Sequence, residues 1–592
     1  MVDALRAAMN DNGIDWFVIF SQDPHLSEYT AQCDKYREFY SHFTGSAGTL
    51  LVGIEEAYLW TDSRYFIQAE HELEGSGITL MRQGMPGVPV LYDFLCEHIW
   101  EGQKIAFDLM SISFASYERL QKRLPESVEI TDGGKILKSN AASIGKREFK
   151  KIVAVPEKYA GRRVAEKLSD IRKRINKNIA SDKSYSYIIS DLTSVMWTFN
   201  LRGGDIEYVP VAYAYAVITG YGATLYLGRR SLSDEAQKAL DDEGIVVKEY
   251  SLFYKDLDDI ATDIVIADPD KNNSRILSVF ANRGDLARCS DAAIITKYIK
   301  NKAETEGMRD AHLKDAVTMI KFIKTVKESA ANGTLGDEYT TGKMLDDARI
   351  AGGSCCPSFE TICAYGKNSA IVHYTAKEGT AGKLESKSFL LVDSGGQYKF
   401  TGTTDITRTI LLGSATDEER SVYTAVLKGN LRLMDTVFPE GYKGALLDGI
   451  AEQPLWEKGY FCGHGIGHGV GHYLSVHESE ARISRASSEG EAAIRTGVIV
   501  SNEPGVYIEG KFGVRLENLL LTVSAKSIDG NRMCKFEPLT LVPFDKDAID
   551  FKELSEKEIG ILKKYYGLIW EKVSPLLDED DRKWLKETID IK

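Results

Sequence analysis

The apolar run Phe389-Leu390-Leu391-Val392 stops at Asp393, and the turn signal Ser394-Gly395-Gly396 follows it. The chain returns through Gly402-Thr403-Thr404 to Asp405. From there apolar and polar residues alternate through Ile406-Thr407-Arg408-Thr409-Ile410-Leu411. Alternation at period two predicts a half-buried strand. Antiparallel pairing of the two runs about Lys399 sets Asp393 opposite Asp405. Facing side chains on such a pair lie about 5 Å apart, and like charges there repel. Two carboxylates at the end of an apolar strand call for a proton or a cation between them.

Toward the N-terminus the pattern is different. Ala4 to Asn12 reads as a helix, and Trp16-Phe17-Val18-Ile19-Phe20 is a continuous apolar run. A polar loop, Ser21 to His25, leads on to Gly45-Ser46-Ala47-Gly48 and the stretch Thr49 to Val52. Tyr58 to Asp62 and a helical pattern from Tyr65 to Glu74 come next, so strands interleave with helices. A similar order recurs: a helix from Glu166 to Ile175, a strand from Ser186 to Ile189 and a polar loop from Ser190. Runs at Tyr213 to Thr219 and Ala223 to Gly228 complete it. We read residues 1–140 and 141–295 as two copies of one α/β unit. Gly45 to Gly48 precedes a strand rather than a helix N-terminus, which counts against a nucleotide site. Beyond Ile294 the texture changes. Lys300 to Glu328 is charged and amphipathic, with Met308, Ala316, Met319, Ile320 and Ile323 on one helical face. A third domain, 296–592, starts here and holds the acidic pair.

Composition narrows the class. A chain of 592 residues exceeds what one core serves and predicts three or four domains. The net charge of −14 argues against a nucleic-acid partner and against an anionic membrane surface. Residues 1–16 lack the apolar core of a secretory signal, and no apolar run is long enough to span a bilayer. The eight cysteines are scattered without a CxxC pair, which fits reduced thiols in the cytoplasm rather than a disulfide framework. Cys462 is the one thiol beside candidate chemistry, and core packing is its expected role.

Five of the ten histidines fall between 373 and 477: His373, His464, His468, His472 and His477. Four of these sit in or just after the glycine-alternating run Gly463 to His472, where glycines leave imidazoles room to project. Two more carboxylates follow. Val498-Ile499-Val500-Ser501-Asn502 ends in Glu503, and Glu517 stands among apolar neighbours in Gly513 to Leu520. A glutamate there is costly to desolvate unless it is paired or metal-bound. Arg515, on the same strand face, is the structural alternative as its partner. Asp393, Asp405, His468, Glu503 and Glu517 together offer four carboxylates and one imidazole, enough to neutralise two divalent cations. An oxygen-rich set favours Mn²⁺, with Zn²⁺ or Co²⁺ as alternatives. Two such ions can hold a bridging hydroxide and polarise a carbonyl for hydrolysis.

At these residues the sequence resembles the Xaa-Pro aminopeptidases, the three-domain eukaryotic-type branch of the pita-bread metallopeptidases. The resemblance rests on VDSGGQY at 392–398, GTTDITRT at 402–409, GHGIGHGVG at 463–471, SNEPG at 501–505 and GVRLEN at 513–518. HLSEYTAQCDKYREFYSHFTGSAGT from His25, WTDSRYF from Trp60, WTFNLRG from Trp197 and FEPLTLVP from Phe536 extend it over nearly the whole chain. It implies a mixed α/β and α+β protein: two creatinase-like α/β domains, then a catalytic pita-bread domain with a C-terminal extension, in a homodimer. One departure is that Phe400-Thr401 lengthens the turn, so that Asp405 follows Asp393 one residue later than in the family.

The resemblance also implies roles. Asp393 would hold one ion, His468 and Glu503 the other, and Asp405 and Glu517 both. Glu503 would take a proton from the attacking water. His373, His464 and His477 would steady the scissile carbonyl or move a proton to the leaving nitrogen, with Tyr507 and Arg515 near a proline pocket. His472 receives no role, and packing or solvation accounts for it. The implied reaction is removal of the N-terminal residue from peptides with proline in second position. The alternatives are a prolidase restricted to X-Pro dipeptides and a non-catalytic peptide-binding module of the same fold.

Overall fold

The computed structural model describes residues 1–177, 179–180, 182–486 and 492–591. The chain forms two compact units: Met1–Val155 with Arg162–Lys297, and Pro156–Gly161 with Tyr298–Lys592.

The first unit holds two six-stranded sheets of one topology. In the first, Trp16–Phe20 lies between Thr49–Gly53, antiparallel to it, and Lys104–Phe107, parallel to it. Ala57–Thr61 and Thr79–Arg82 continue the sheet on one side, and Glu129–Asp132 closes the other. The second sheet repeats this order and these directions. Tyr185–Ile189 is its central strand, Ala214–Thr219, Ala223–Leu227 and Val246–Glu249 lie on one side, and Ile264–Ala267 and Leu286–Arg288 on the other. The continuous apolar run at Trp16 explains why both faces of its strand are covered. Phe17 and Ile19 enter one core cluster, Trp16 and Val18 the opposite one.

The second unit is built on the helix Lys302–Asn332, which starts at a capping box between Asn301 and Glu304. Its expected apolar face, including Met308, Met319 and Ile320, is buried. The strands Ile362–Tyr365, Phe389–Ser394 and Ile406–Leu411 form a three-stranded antiparallel sheet. A second sheet of six strands includes Gly467–Gly469, Glu478–Ile483, Ile499–Asn502 and Asn518–Ile528. The hairpin Gly505–Ile508 with Phe512–Arg515 stands beside them.

Two expectations and one alternative are corrected here. The strands after Phe389 are in register about Phe400, not Lys399: Asp393 pairs with Thr407, and Ser394 with Ile406. Phe400, at the centre of the turn, has φ 63°, and the tip pairs separately as Gln397 with Thr403. Asp393 and Asp405 are therefore diagonal neighbours, still on one face. Gly395 is where the two runs come closest, since a Cβ there would lie 1.9 Å from the Thr404 carbonyl oxygen. Second, Ile406–Leu411 is buried on both faces rather than half-buried. Its polar residues meet other protein groups instead of water: Thr409 Oγ1 donates to Arg515 O at 2.9 Å, and Arg408 donates to the carbonyls of Glu517 and Val542. Third, Arg515 pairs with Asp393, not with Glu517.

Candidate active site

Each candidate ligand lies on a strand or directly beside one. Asp393 lies one residue before the end of Phe389–Ser394, and Asp405 immediately precedes Ile406–Leu411. His468 is the middle residue of Gly467–Gly469, and Glu503 follows Ile499–Asn502. Glu517 sits in the break between Phe512–Arg515 and Asn518–Ile528. Its backbone N–H there donates to Thr407 O at 3.1 Å, which binds the break to the strand behind Asp405.

These elements converge. One ligand atom each from Asp405, His468 and Glu517 lies within 4.8 Å of the others. His468 Nε2 is 3.5 Å from Asp405 Oδ2 and 3.4 Å from Glu503 Oε1. The other ring nitrogen, Nδ1, stands 3.0 Å from Gly469 O. A carbonyl only accepts, so Nδ1 carries the proton and Nε2 presents a lone pair to the carboxylates when the ring is neutral. Ser501 Oγ accepts from His468 N–H at 2.9 Å and donates to Glu503 Oε1 at 3.0 Å, locking the two residues together.

On the opposite side Arg515 organises Asp393. Its Nη2 donates to Asp393 Oδ2 at 2.6 Å, its Nε to Thr407 Oγ1 at 3.1 Å, and its Nη1 to the Tyr507 hydroxyl at 2.6 Å. Thr407 Oγ1 in turn donates to Glu517 Oε2 at 2.9 Å. Tyr507 reaches His464 Nε2 at 2.7 Å, and His464 Nδ1 faces Glu503 Oε2 at 3.9 Å. His477 packs edge-to-face on His468, with ring centroids 4.4 Å apart. His373 is half-buried, and the carbonyl of its neighbour Val372 accepts from Arg515 at 3.5 Å. His472, by contrast, is buried against Gly307 of the long helix, a packing position.

The electrostatics fit a cation-binding cluster. Burial, and then the charges of Asp405, Glu503 and Asp393, push the Glu517 carboxyl well above its ordinary range. Burial pulls the His468 imidazole down, but Asp405 and Glu503 outweigh it and hold the ring at about 9. Buried acids that compete this strongly for protons are short of positive charge. Asp393 Oδ1 is buried without a hydrogen-bond partner, one acceptor left over for a ligand. The donors are oxygens and one imidazole, suited to a divalent ion of the harder kind.

Thr407, Ser501 and Arg408 escaped the sequence reading. Thr407 had a signal: it follows Asp405 by two residues, and so shares its face. Ser501 and Arg408 act on partners across the fold, which spacing does not reveal.

A model of metallopeptidase family M24 matches residues 306–524, the stretch that contains all five candidate ligands. Models of the creatinase/prolidase N-terminal domain match residues 1–139 and 145–304, and the C-terminal region of peptidase M24 matches 532–590. A probable Xaa-Pro aminopeptidase P of Botryotinia fuckeliana is 35% identical, over 99% of this chain and 92% of its own. Its counterpart in Pyrenophora teres is 34% identical, over 98% and 91%. The chain belongs to the Xaa-Pro aminopeptidase branch of metallopeptidase family M24. Among solved structures, the X-prolyl aminopeptidase of Caenorhabditis elegans, described as a cytosolic enzyme with a di-nuclear active site, superposes with a TM-score of 0.93. It is 28% identical, over 98% of this chain and 95% of its own. Two creatinase-like domains thus precede an M24 catalytic domain, and the repeated sheet of the first unit is that pair.

Proposed function

We propose that the protein is a metal-dependent aminopeptidase that hydrolyses the first peptide bond of chains with proline in second position. The observation that carries this is the convergence of Asp405, His468 and Glu517 within 4.8 Å, flanked by Asp393 and Glu503. Two divalent ions, Mn²⁺ first, held by these five residues would supply water activation and polarisation of the scissile carbonyl. Glu503, which accepts a hydrogen bond from Ser501 Oγ, would take the proton of the attacking water. Arg515 keeps the Asp393 carboxylate oriented, and through Tyr507 it sets the face that His464 turns to the site. His464, His477 and His373 would bind the carbonyl oxygen and return a proton to the leaving nitrogen.

Proline fits this design for a chemical reason. An X–Pro bond is a tertiary amide with no N–H, so recognition as an added β-strand loses a contact there. A closed pocket for the pyrrolidine ring, with ions gripping the free amine and the carbonyl, avoids that need. Cleavage of a tripeptide such as Arg-Pro-Pro, compared with an X-Pro dipeptide, tests the reading. We expect release of the first residue from the tripeptide; cleavage of dipeptides alone would make the protein a prolidase.

The same reading divides the chain at 140 and 295, supported by sheets that close within 16–132 and 185–288. It makes the protein a homodimer, as the family resemblance implies. A mass of one chain in solution at micromolar concentration would overturn it. A cytosolic location follows the description of the nematode relative.

A further inference from the structure

Glu338 opens the helix Glu338–Ala351 and is completely buried. Among the described residues, the hydrogen bonds its carboxylate accepts come from neutral donors. Oε1 accepts from Tyr365 N–H at 2.7 Å and from Asn368 Nδ2 at 3.0 Å. Oε2 accepts from the Tyr374 hydroxyl at 2.7 Å, from Gly382 N–H at 2.7 Å, and from Asn368 Nδ2 at 3.2 Å. A buried carboxylate is costly unless its lone pairs are met, so these donors must stay in place together.

All of them lie on the segment 365–382 that carries His373. Tyr365 is at its start, Asn368 in its first turn, Tyr374 beside the histidine and Gly382 at its end. Gly382 lies against the carboxylate so closely that a Cβ would stand 2.9 Å from Oε2. The backbone reinforces the closure: Glu338 N–H donates to Gly382 O, and Leu384 N–H to Gly336 O, both at 3.0 Å. Beyond the clamp the loop meets the candidate site. Ser369 Oγ accepts from Gly513 N–H at 2.7 Å, and Tyr374 packs on Ile362, Ala364 and Leu391. Burial, and then the bond to Glu338, raises the Tyr374 phenol further above its ordinary value, so it stays a donor.

We propose that Glu338 is a positioning residue for His373, one carboxylate that ties both ends of the loop and the tyrosine next to that histidine. The inference rests on the reading of His373 as a substrate-contacting group. Misplacing such a group by about 1 Å costs up to about 100-fold in rate.

The test is a double-mutant cycle of Glu338→Gln and His373→Ala, with kcat and KM measured separately on an Xaa-Pro peptide. Hydrogen exchange of residues 366–382 is followed in each variant. Glu338→Gln keeps the shape but removes the charge that gathers the donors. We expect kcat/KM to fall about 10- to 100-fold in the wild-type background. In the His373→Ala background it should fall less than about 3-fold, with faster exchange in the loop in both. An unchanged kcat/KM, or an equal loss in both backgrounds, overturns the proposal. If His373→Ala alone retains full activity, the reading of His373 fails, and loop exchange then decides whether Glu338 holds the loop. Should Glu338→Gln not fold, Tyr374→Phe, which deletes one donor at a half-buried position, takes its place in the cycle with the same expectations.

Discussion

Thr407 occupies the point where two halves of the candidate site meet. It donates to Glu517 and accepts from Arg515, which in turn holds Asp393. Replacing it with valine keeps the volume and the strand propensity but removes both bonds. We expect Thr407→Val to lower kcat/KM or metal affinity about 10- to 100-fold, and Thr407→Ser to restore most of it. Steady-state kinetics with equilibrium dialysis of Mn²⁺ reads both, and full activity of the valine variant would remove Thr407 from the site. Among the candidate ligands, Asp393 and Glu503 stood out in the sequence, because a carboxylate that ends an apolar run is costly to desolvate. The partner of Arg515 did not. Sequence spacing put Glu517 within reach, but the strand that lies across Arg515 brings Asp393 instead.

The strand Ile406–Leu411 shows where pattern reading reaches its limit. Alternating polar residues normally mean a solvated face, but here the alternation faces protein. Arg408 is fully buried, with its guanidinium shared among the carbonyls of Thr407, Glu517, Val542 and Pro543, the Asn518 side chain and the Tyr565 hydroxyl. Removing it strands several buried acceptors at about 1–3 kcal/mol each. Arg408→Met is therefore expected to cost the second unit about 3 kcal/mol or more. It should also loosen Glu517, whose carbonyl Arg408 holds. Chemical denaturation monitored on that unit measures it; a loss below about 1 kcal/mol would contradict this account. The register of the same strand was unreadable for a different reason. Pairing depends on the geometry of the turn, and the turn closes about Phe400 rather than Lys399. Asp393 and Asp405 kept a common face because the partner of Asp393 moved by two residues, from 405 to 407, and an even shift preserves the face.

Across the whole chain, the repeat was the most legible feature. Apolar runs in a matching order became two sheets with the same strand order. What joins them could not be read, because it is a buried polar cluster with no local pattern. His25, on the loop after the first central strand, bonds through Nδ1 to Ser190 O and through Nε2 to the Tyr250 hydroxyl, both at 2.8 Å. Its ring stacks on Tyr215 and lies near Tyr213. Burial, and then the charge of Arg147, drops the imidazole from 6.5 to about 3. A base with a depressed pKa is neutral in the folded unit, so its contribution is intact above pH 6.5 and is lost as pH falls from there toward 3. Asp23 beside it, raised to about 6 by burial and then by Asp34, works in the opposite direction. A substitution at His25 isolates the first effect. Between pH 7 and pH 5 the Tyr185–Ile189 amides of the wild type should lose hydrogen-exchange protection, relative to His25→Asn at each pH. Parallel behaviour of the two proteins would contradict it. The central claim is that dispersed acidic residues are drawn together by two divalent ions, and anomalous scattering at the manganese edge from Mn²⁺-loaded crystals tests it most directly. The account predicts two peaks, with Asp405 and Glu517 each touching both. A single peak, or those two side chains turned away from each other with Mn²⁺ in excess, would contradict it.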